Sequence, residues 1–131
     1  YGNDMGNEHV IPEFINRFKK IGNKKQFLIY GTGQEIRSFI YIDDFISGFD
    51  KIYKKGKNLE IYNIGTNEKV KISNLAILIA KLLDKDIKFN KTKVLKGSPS
   101  KRCPDISKIK KLGFKPKILL KNGIQKLLQK N

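Results

Sequence analysis

The stretch Phe27-Leu-Ile-Tyr-Gly-Thr-Gly-Gln-Glu-Ile-Arg-Ser-Phe-Ile-Tyr-Ile-Asp-Asp44 decides how the chain folds. Phe27 to Tyr30 is a short apolar run, and Gly31-Thr-Gly33 has the composition of a turn. Arg37 to Ile42 then reads as a second strand with Phe39 and Tyr41 on one face. Asp43 or Asp44 can cap the next segment, where Phe45, Phe49 and Ile52 recur at helical spacing until Gly56. Strand, turn, strand and helix within one short window imply alternating elements, and the flanks continue the pattern. Upstream, Tyr1 to Glu8 reads as a loop, and a helix begins near Pro12 with Phe14, Ile15 and Phe18 as its apolar stripe, ending at Gly22. Downstream, Glu60 to Ile64 reads as a strand closed by Gly65, and Ser73 as the cap of an apolar helix, Leu75 to Leu83. A short strand around Ile87 to Phe89 and a lysine-rich loop through Ser100 come next. Ile106 to Leu112, stopped by Gly113, and Leu120 to Gln129 read as two amphipathic helices. The class is α/β, short strands alternating with helices.

Composition bounds the rest. The chain has 131 residues, enough for one domain with a core, and 39% hydrophobic against 31% charged residues is the balance of a folding chain. The longest apolar run, Leu75 to Leu83, is interrupted by Lys81 and is far short of the ~20 residues a membrane span needs. Cys103 is the one cysteine, so no internal disulfide can form, which points to a reducing, cytoplasmic setting. The chain opens on Tyr1 without a secretory or transit pattern, the expectation for a segment that begins inside a larger protein. Net charge is +16, the electrostatic footprint of a nucleic-acid binder, so a basic nucleic-acid-binding module is a rival reading. Against it, the only arginines are Arg17, Arg37 and Arg102, and lysine is the poorer reader of bases and bidentate phosphates. No zinc-finger spacing, arginine tract or RNA-recognition aromatic motif accompanies the charge.

Few residues can carry chemistry. With His9 and Cys103 each alone of their type, no metal set is expected. Gly31 and Gly33 begin a Gly-x-Gly, but Ile36 stands where the dinucleotide fingerprint needs glycine, so a plain turn is expected. Tyr53 and Lys57 formally make a Tyr-x-x-x-Lys pair. That pairing needs an unbroken helical turn, Gly56 interrupts it, and Tyr53 is expected to pack at the helix end. Arg37, after the glycine turn, and Arg102, in the loop from Gly97 to Pro104, are candidates to grip a diphosphate through the guanidinium fork. A surface ion pair is the alternative for each.

Tyr1-Gly2, His9-Val-Ile-Pro12, Leu28-Ile-Tyr-Gly-Thr-Gly33, Arg37-Ser-Phe-Ile-Tyr-Ile-Asp-Asp44, Tyr62-Asn-Ile-Gly65 and Lys101-Arg-Cys-Pro-Asp-Ile-Ser-Lys108 stand in that order along the chain. Together they resemble the extended short-chain dehydrogenase/reductase family, in particular the C-terminal half of NAD-dependent nucleotide-sugar epimerases and dehydratases. That group includes UDP-glucose 4-epimerases, dTDP-glucose 4,6-dehydratases and UDP-glucuronate decarboxylases. The resemblance implies that residues 1–131 form the substrate-binding lobe of a Rossmann-fold enzyme. The N-terminal half, with the bulk of the NAD site and the catalytic tyrosine, would lie upstream and oxidise the sugar C4. No catalytic residue is then expected in this chain. The resemblance assigns Arg37 and Arg102 to opposite sides of the diphosphate, Leu28 and Tyr30 to the pyrimidine base, His9 and Val10 to phosphate or base, and Asn63 to the phosphates. Asp43, Asp44 and Asp105 look like helix caps. Asn3 replaces the family's proline and His9 its commoner Asn or Lys. The implied partners are a UDP-, dTDP- or GDP-linked sugar and, for the full-length protein, a second copy in a homodimer. No metal, membrane or nucleic acid is implied. An inactive truncated relic is the other alternative.

Overall fold

The computed structural model describes residues 1–3, 6, 8–22, 26–93 and 97–129. They fall into two compact units through which the chain passes alternately. One comprises Tyr1–Asn3, Ser38–Lys69 and Cys103–Asn131, the other Asp4–Arg37 and Val70–Arg102.

The second unit holds every paired strand among the described residues. Its first helix, α1 (Val10–Lys20), buries Ile11, Phe14, Ile15 and Phe18 on one stripe. Strand β1 (Gln26–Ile29) turns Phe27 and Ile29 inward and Leu28 outward. The Phe18 and Phe27 rings stack with centroids 3.9 Å apart, and Phe14 and Phe89 meet Phe27 edge-on at 5.2 and 6.1 Å. Such aromatic pairs contribute about 0.5–1.5 kcal/mol each beyond the area they bury. Helix α3 (Ile72–Leu82) closes this core with Leu75, Ala76, Ile79 and Ala80. Strand β4 (Lys88–Lys91) pairs parallel to β1, Phe27 opposite Phe89. A separate three-stranded sheet runs in the order β3 (Val70–Lys71), β2 (Ile36–Arg37), β5 (Lys101–Arg102). Here β2 is antiparallel to β3 and parallel to β5.

The first unit is helical among the described residues: α2 (Ile42–Lys55), α4 (Ser107–Lys110) and α5 (Leu120–Gln129). Ile106, Ile109 and Phe114 form a core cluster, with Ile40, Ile52, Tyr62 and Ile64 packed against it. Gly48 lets the chain approach this cluster closely, since a Cβ there would lie 2.7 Å from Ile64 Cγ2 and 3.2 Å from Phe114 Cε2. Asp44, 4% exposed, accepts hydrogen bonds from the backbone N–H of Lys117 at 3.0 Å and of Ile118 at 2.8 Å, tying α2 to the segment that leads into α5.

Several expectations change. The strand read at Arg37 to Ile42 pairs only over Ile36–Arg37, because the chain leaves the sheet at Ser38, whose hydroxyl donates to the Thr66 carbonyl. Glu60 to Ile64 makes no ladder; Ile64 packs on the Ile106–Phe114 cluster instead. Neither Asp43 nor Asp44 caps α2, whose N-cap is Tyr41 without a side-chain bond. Ser73 likewise lies inside the first turn of α3, its N–H donating to the Gly33 carbonyl at 2.9 Å. Asp105 does act at a helix start, accepting the Ser107 N–H at 2.8 Å. Strand β5 lies in the stretch from Gly97 to Pro104 that reads as loop and β3 in one that carries no assignment, since two residues are too few for an alternation to register.

Two outcomes test the packing of the helical unit. Gly48→Ala gains about 1 kcal/mol of helix propensity but overpacks the cluster at about 1–3 kcal/mol, so a net loss of stability is expected in the urea midpoint. Asp44→Ala strips two amides of their acceptor and is expected to cost about 2–4 kcal/mol in the same assay. Asp44→Asn, which keeps one acceptor oxygen, should lose less.

Candidate functional site

The outward face of β1 is the first element of the site. By the two-residue period Leu28 and Tyr30 share it, 38% and 68% exposed, an apolar ledge with no core to cover it. Arg17, two turns into α1, holds the ledge in place. Its Nη1 pairs with Glu13 at 2.9 Å and its Nη2 donates to the Leu28 carbonyl. The guanidinium carbon sits 4.3 Å from the Phe27 ring centroid and 5.2 Å from that of Tyr30. Arg17 carried no assignment from the sequence. An arginine on a lysine-rich helix, four residues after a glutamate, was the available signal.

Beyond Tyr30 the chain turns at Gly31 and Gly33, whose φ values of 112° and 74° are open to glycine at little cost. The turn's amides are already used. Gly31 N–H donates to Thr92 Oγ1 at 2.8 Å, Thr32 N–H to Glu35 Oε1 at 3.0 Å, and Gln34 N–H to Thr32 Oγ1 at 3.2 Å. A phosphate-cradling loop needs free N–H groups aimed outward at a helix start. Here β2 follows, so these residues do not fit NAD, in keeping with the plain turn read from Ile36. Glu35, buried at 8% exposure, organises the turn, and Thr32 Oγ1 also donates to its Oε1 at 2.9 Å. Burial pulls the Glu35 carboxyl toward the neutral form. Hydrogen bonds from its own N–H, from the Thr32 amide and hydroxyl and from the Gly33 amide outweigh that and hold it below the usual glutamate range. Tyr30, Gly31, Glu35, Ile72, Lys93 and Ser98 line an open cavity of ≈ 190 Å³ beside the turn.

Immediately after Glu35 the two candidate arginines come together. Arg37 on β2 and Arg102 on β5 are register partners in a parallel pair, so their Cα atoms stand across one strand spacing and their side chains leave the same face. Arg37 Nη1 donates to the Ile36 carbonyl at 2.9 Å, and Arg102 is exposed. Among the described residues neither has a carboxylate within ion-pair distance, so the surface ion pair weighed for each is not formed there. Two arginines carried at neighbouring strand positions can reach one bidentate anion.

The remaining candidates lie as follows. His9 is the exposed N-cap of α1 and makes no side-chain capping bond; Val10, half-buried, is that helix's first residue. Both share a unit with Leu28, Tyr30, Arg37 and Arg102. Asn63 belongs to the helical unit, where its Nδ2 donates to the Asp105 carbonyl at 3.1 Å. Tyr53 and Lys57 make no catalytic pair: α2 ends at Lys55, and Lys57 lies beyond Gly56 with its N–H donating to the Tyr62 hydroxyl. Tyr53, expected to pack, is 82% exposed. No group of three or more metal-ligating side chains occurs among the described residues. No helix among them is long and apolar enough to cross a membrane.

Comparison with known proteins places this geometry. The model of the NAD dependent epimerase/dehydratase family matches residues 1–65. The dTDP-D-glucose 4,6-dehydratase of Bos taurus is 35% identical over 98% of this chain and 38% of its own length. The crystal structure of the dTDP-glucose 4,6-dehydratase of Streptomyces venezuelae, solved with NAD bound, superposes with a TM-score of 0.87 at 25% identity, over 98% of this chain and 40% of that one. The UDP-glucuronic acid 4-epimerase of Bacillus cereus, in complex with UDP-glucuronic acid and NAD, superposes with a TM-score of 0.83 at 29% identity, over 95% of this chain and 40% of that one. The chain thus spans about two-fifths of the length of these proteins. Near-complete coverage of the chain by both sequence and backbone, with the six motifs in order, establishes that it belongs to the NAD dependent epimerase/dehydratase family, the extended short-chain dehydrogenase/reductases that act on nucleotide sugars.

Proposed function

We propose that this chain is the nucleotide-sugar-binding lobe of an NAD-dependent epimerase or dehydratase, and that Arg37 and Arg102 clamp the diphosphate of its substrate. The observation that carries the reading is their pairing across β2 and β5 with no carboxylate partner among the described residues. A diphosphate offers two adjacent anionic groups that side chains from neighbouring strands can approach together, and the arginine fork binds each through two parallel hydrogen bonds. Leu28 and Tyr30 give the base a flat apolar surface on the same unit, and Arg17 keeps that surface ordered. His9 and Val10 stand at the start of α1 as further phosphate or base contacts.

The relatives named above include proteins described as acting on dTDP-glucose and UDP-glucuronic acid, and UDP- or dTDP-linked sugars are accordingly the proposed ligands, GDP-linked sugars a further class. The glycine turn does not fit the cofactor, so NAD binding and the redox chemistry fall to the rest of the longer protein and no catalytic role is assigned here. That protein is proposed to be a cytoplasmic homodimer.

Calorimetric titration of the chain with UDP and dTDP tests the clamp. Arg37→Ala and Arg102→Ala are each expected to weaken binding about tenfold or more, the loss of one charge-assisted contact. The circular dichroism spectrum should stay unchanged. Binding that neither substitution alters would overturn the clamp, and retention of duplex RNA with steep salt dependence but of no nucleoside diphosphate would favour the nucleic-acid reading.

A further inference from the structure

Tyr1 begins a ladder that the chain does not complete. Its main-chain nitrogen donates to the Ile40 carbonyl at 2.8 Å, and its carbonyl accepts the Ile42 N–H at 2.8 Å. Bonds to the residues on either side of the one opposite are the pattern of a parallel pair. Tyr1 therefore stands opposite Tyr41, and their rings meet edge-on at 5.4 Å. Both belong to the helical unit. Tyr1 Oη donates to the Leu120 carbonyl at 3.2 Å, and the Tyr1 ring leaves no room for a Cβ at Gly123, so Tyr1 is built into that unit. One step back along the same edge, the Ser38 carbonyl and the Ile40 N–H have no hydrogen-bond partner among the described residues, although both residues are half-buried. The Phe39 carbonyl faces the other way, toward the Thr66 hydroxyl. Main-chain groups in such a position are nearly always paired, and an open strand edge is a template for another strand.

We propose that Ser38–Tyr41 is a docking edge for the segment that precedes Tyr1 in the longer protein, which enters as a strand parallel to it. Three observations name this occupant. A parallel ladder followed backward from Tyr1 runs alongside Ile40 and Ser38, where the unpaired groups are. Burial holds the Tyr1 ammonium below the usual range of an α-amino group, and a peptide N–H at that position makes the same bond to Ile40 with no charge to desolvate. The chain accounts for about two-fifths of the length of the relatives named above, which leaves ample sequence to supply the strand. The strand read at Arg37 to Ile42 then has a partner on each part: β3 and β5 for Ile36–Arg37, and the incoming segment for Ser38–Tyr41. The assignment holds whatever ligand the chain binds.

The register makes the test specific. Alternate residues of a parallel strand face the edge, so the second residue before Tyr1 donates its N–H to the Ser38 carbonyl and accepts the Ile40 N–H. The residue immediately before Tyr1 turns its main-chain groups away. The chain is extended before Tyr1 by Thr-Val-Thr-Val, and hydrogen exchange at the Ile40 amide is followed by NMR beside the unextended and the N-acetylated chains. Slowing of about tenfold or more is expected in the extended chain only, since acetylation removes the charge and adds no strand. Proline placed second before Tyr1, in Thr-Val-Pro-Val, cannot donate to Ser38 and should lower the urea midpoint relative to the Thr-Val-Thr-Val chain. Proline directly before Tyr1, in Thr-Val-Thr-Pro, should leave it unchanged. Ile40 exchange that is the same with and without the extension, or two prolines of equal effect, overturns the proposal. So does an Ile40 amide already protected in the unextended chain at a dimer's mass, which gives the edge to a second copy. Should either proline form not fold, the exchange comparison decides the matter alone.

Discussion

The segment from Gly31 to Arg37 governs the strand-bearing unit, and the interaction that holds it is the acceptance of the Thr32 amide and hydroxyl by Glu35. Everything nearby hangs from that short turn by backbone hydrogen bonds. Gly33 accepts from Ser73 at the start of α3, Glu35 accepts from Ile72, and Ile36 donates to Ser100 on the approach to β5. Thr92, just past β4, is bonded to Gly31 on both backbone and side chain. If the turn opened, the end of β1, the start of α3 and both neighbours of β2 would lose their anchor together. The two glycines are needed because a Cβ at Gly31 would press to within 3.0 Å of the Glu35 carboxylate and one at Gly33 to within 3.1 Å of Ser73 Cβ.

The candidate site draws on this anchoring without being part of it. Tyr30 precedes the turn and Arg37 follows it, so the spacing of the proposed base ledge and the proposed phosphate clamp is set by a loop whose amides donate to the chain's own groups. That is a rigid way to place two recognition elements, and it lowers the ordering cost on binding. The lysines contribute differently. They raise the long-range potential that draws an anionic ligand in, but only arginine has the planar fork that fixes a diphosphate's orientation. On the proposed reading, the abundance of lysine and the scarcity of arginine separate attraction from recognition within one sequence.

Much of the architecture was legible. Helix α1, the turn at Gly31 and Gly33, helix α2 up to Gly56 and helix α5 all follow from periodicity and glycine placement, because amphipathic helices and positive-φ turns leave local signatures. The family too was readable, since six short motifs in order constrain one another where each alone says little. Two-residue strands were not legible. Their pairing is decided by which segments the core brings alongside, and neither Val70–Lys71 nor Lys101–Arg102 alternates long enough to announce itself. The aspartates of α2 looked like caps for a local reason, yet Asp44 is recruited by amides more than seventy residues away.

The sequence by itself determined the alternation of elements and the family, because those depend on residue type and order, and it marked Arg37 and Arg102 as candidates among many cations. Only the tertiary structure decided that the two arginines stand as register neighbours, that Arg17 braces the Tyr30 ledge, and that the Glu35 carboxylate closes the glycine turn. The physical reason is the same in each case. Hydrogen-bond satisfaction and charge pairing are properties of groups distant in sequence and adjacent in space, and adjacency is fixed only when the aromatic core of Phe14, Phe18, Phe27 and Phe89 has closed.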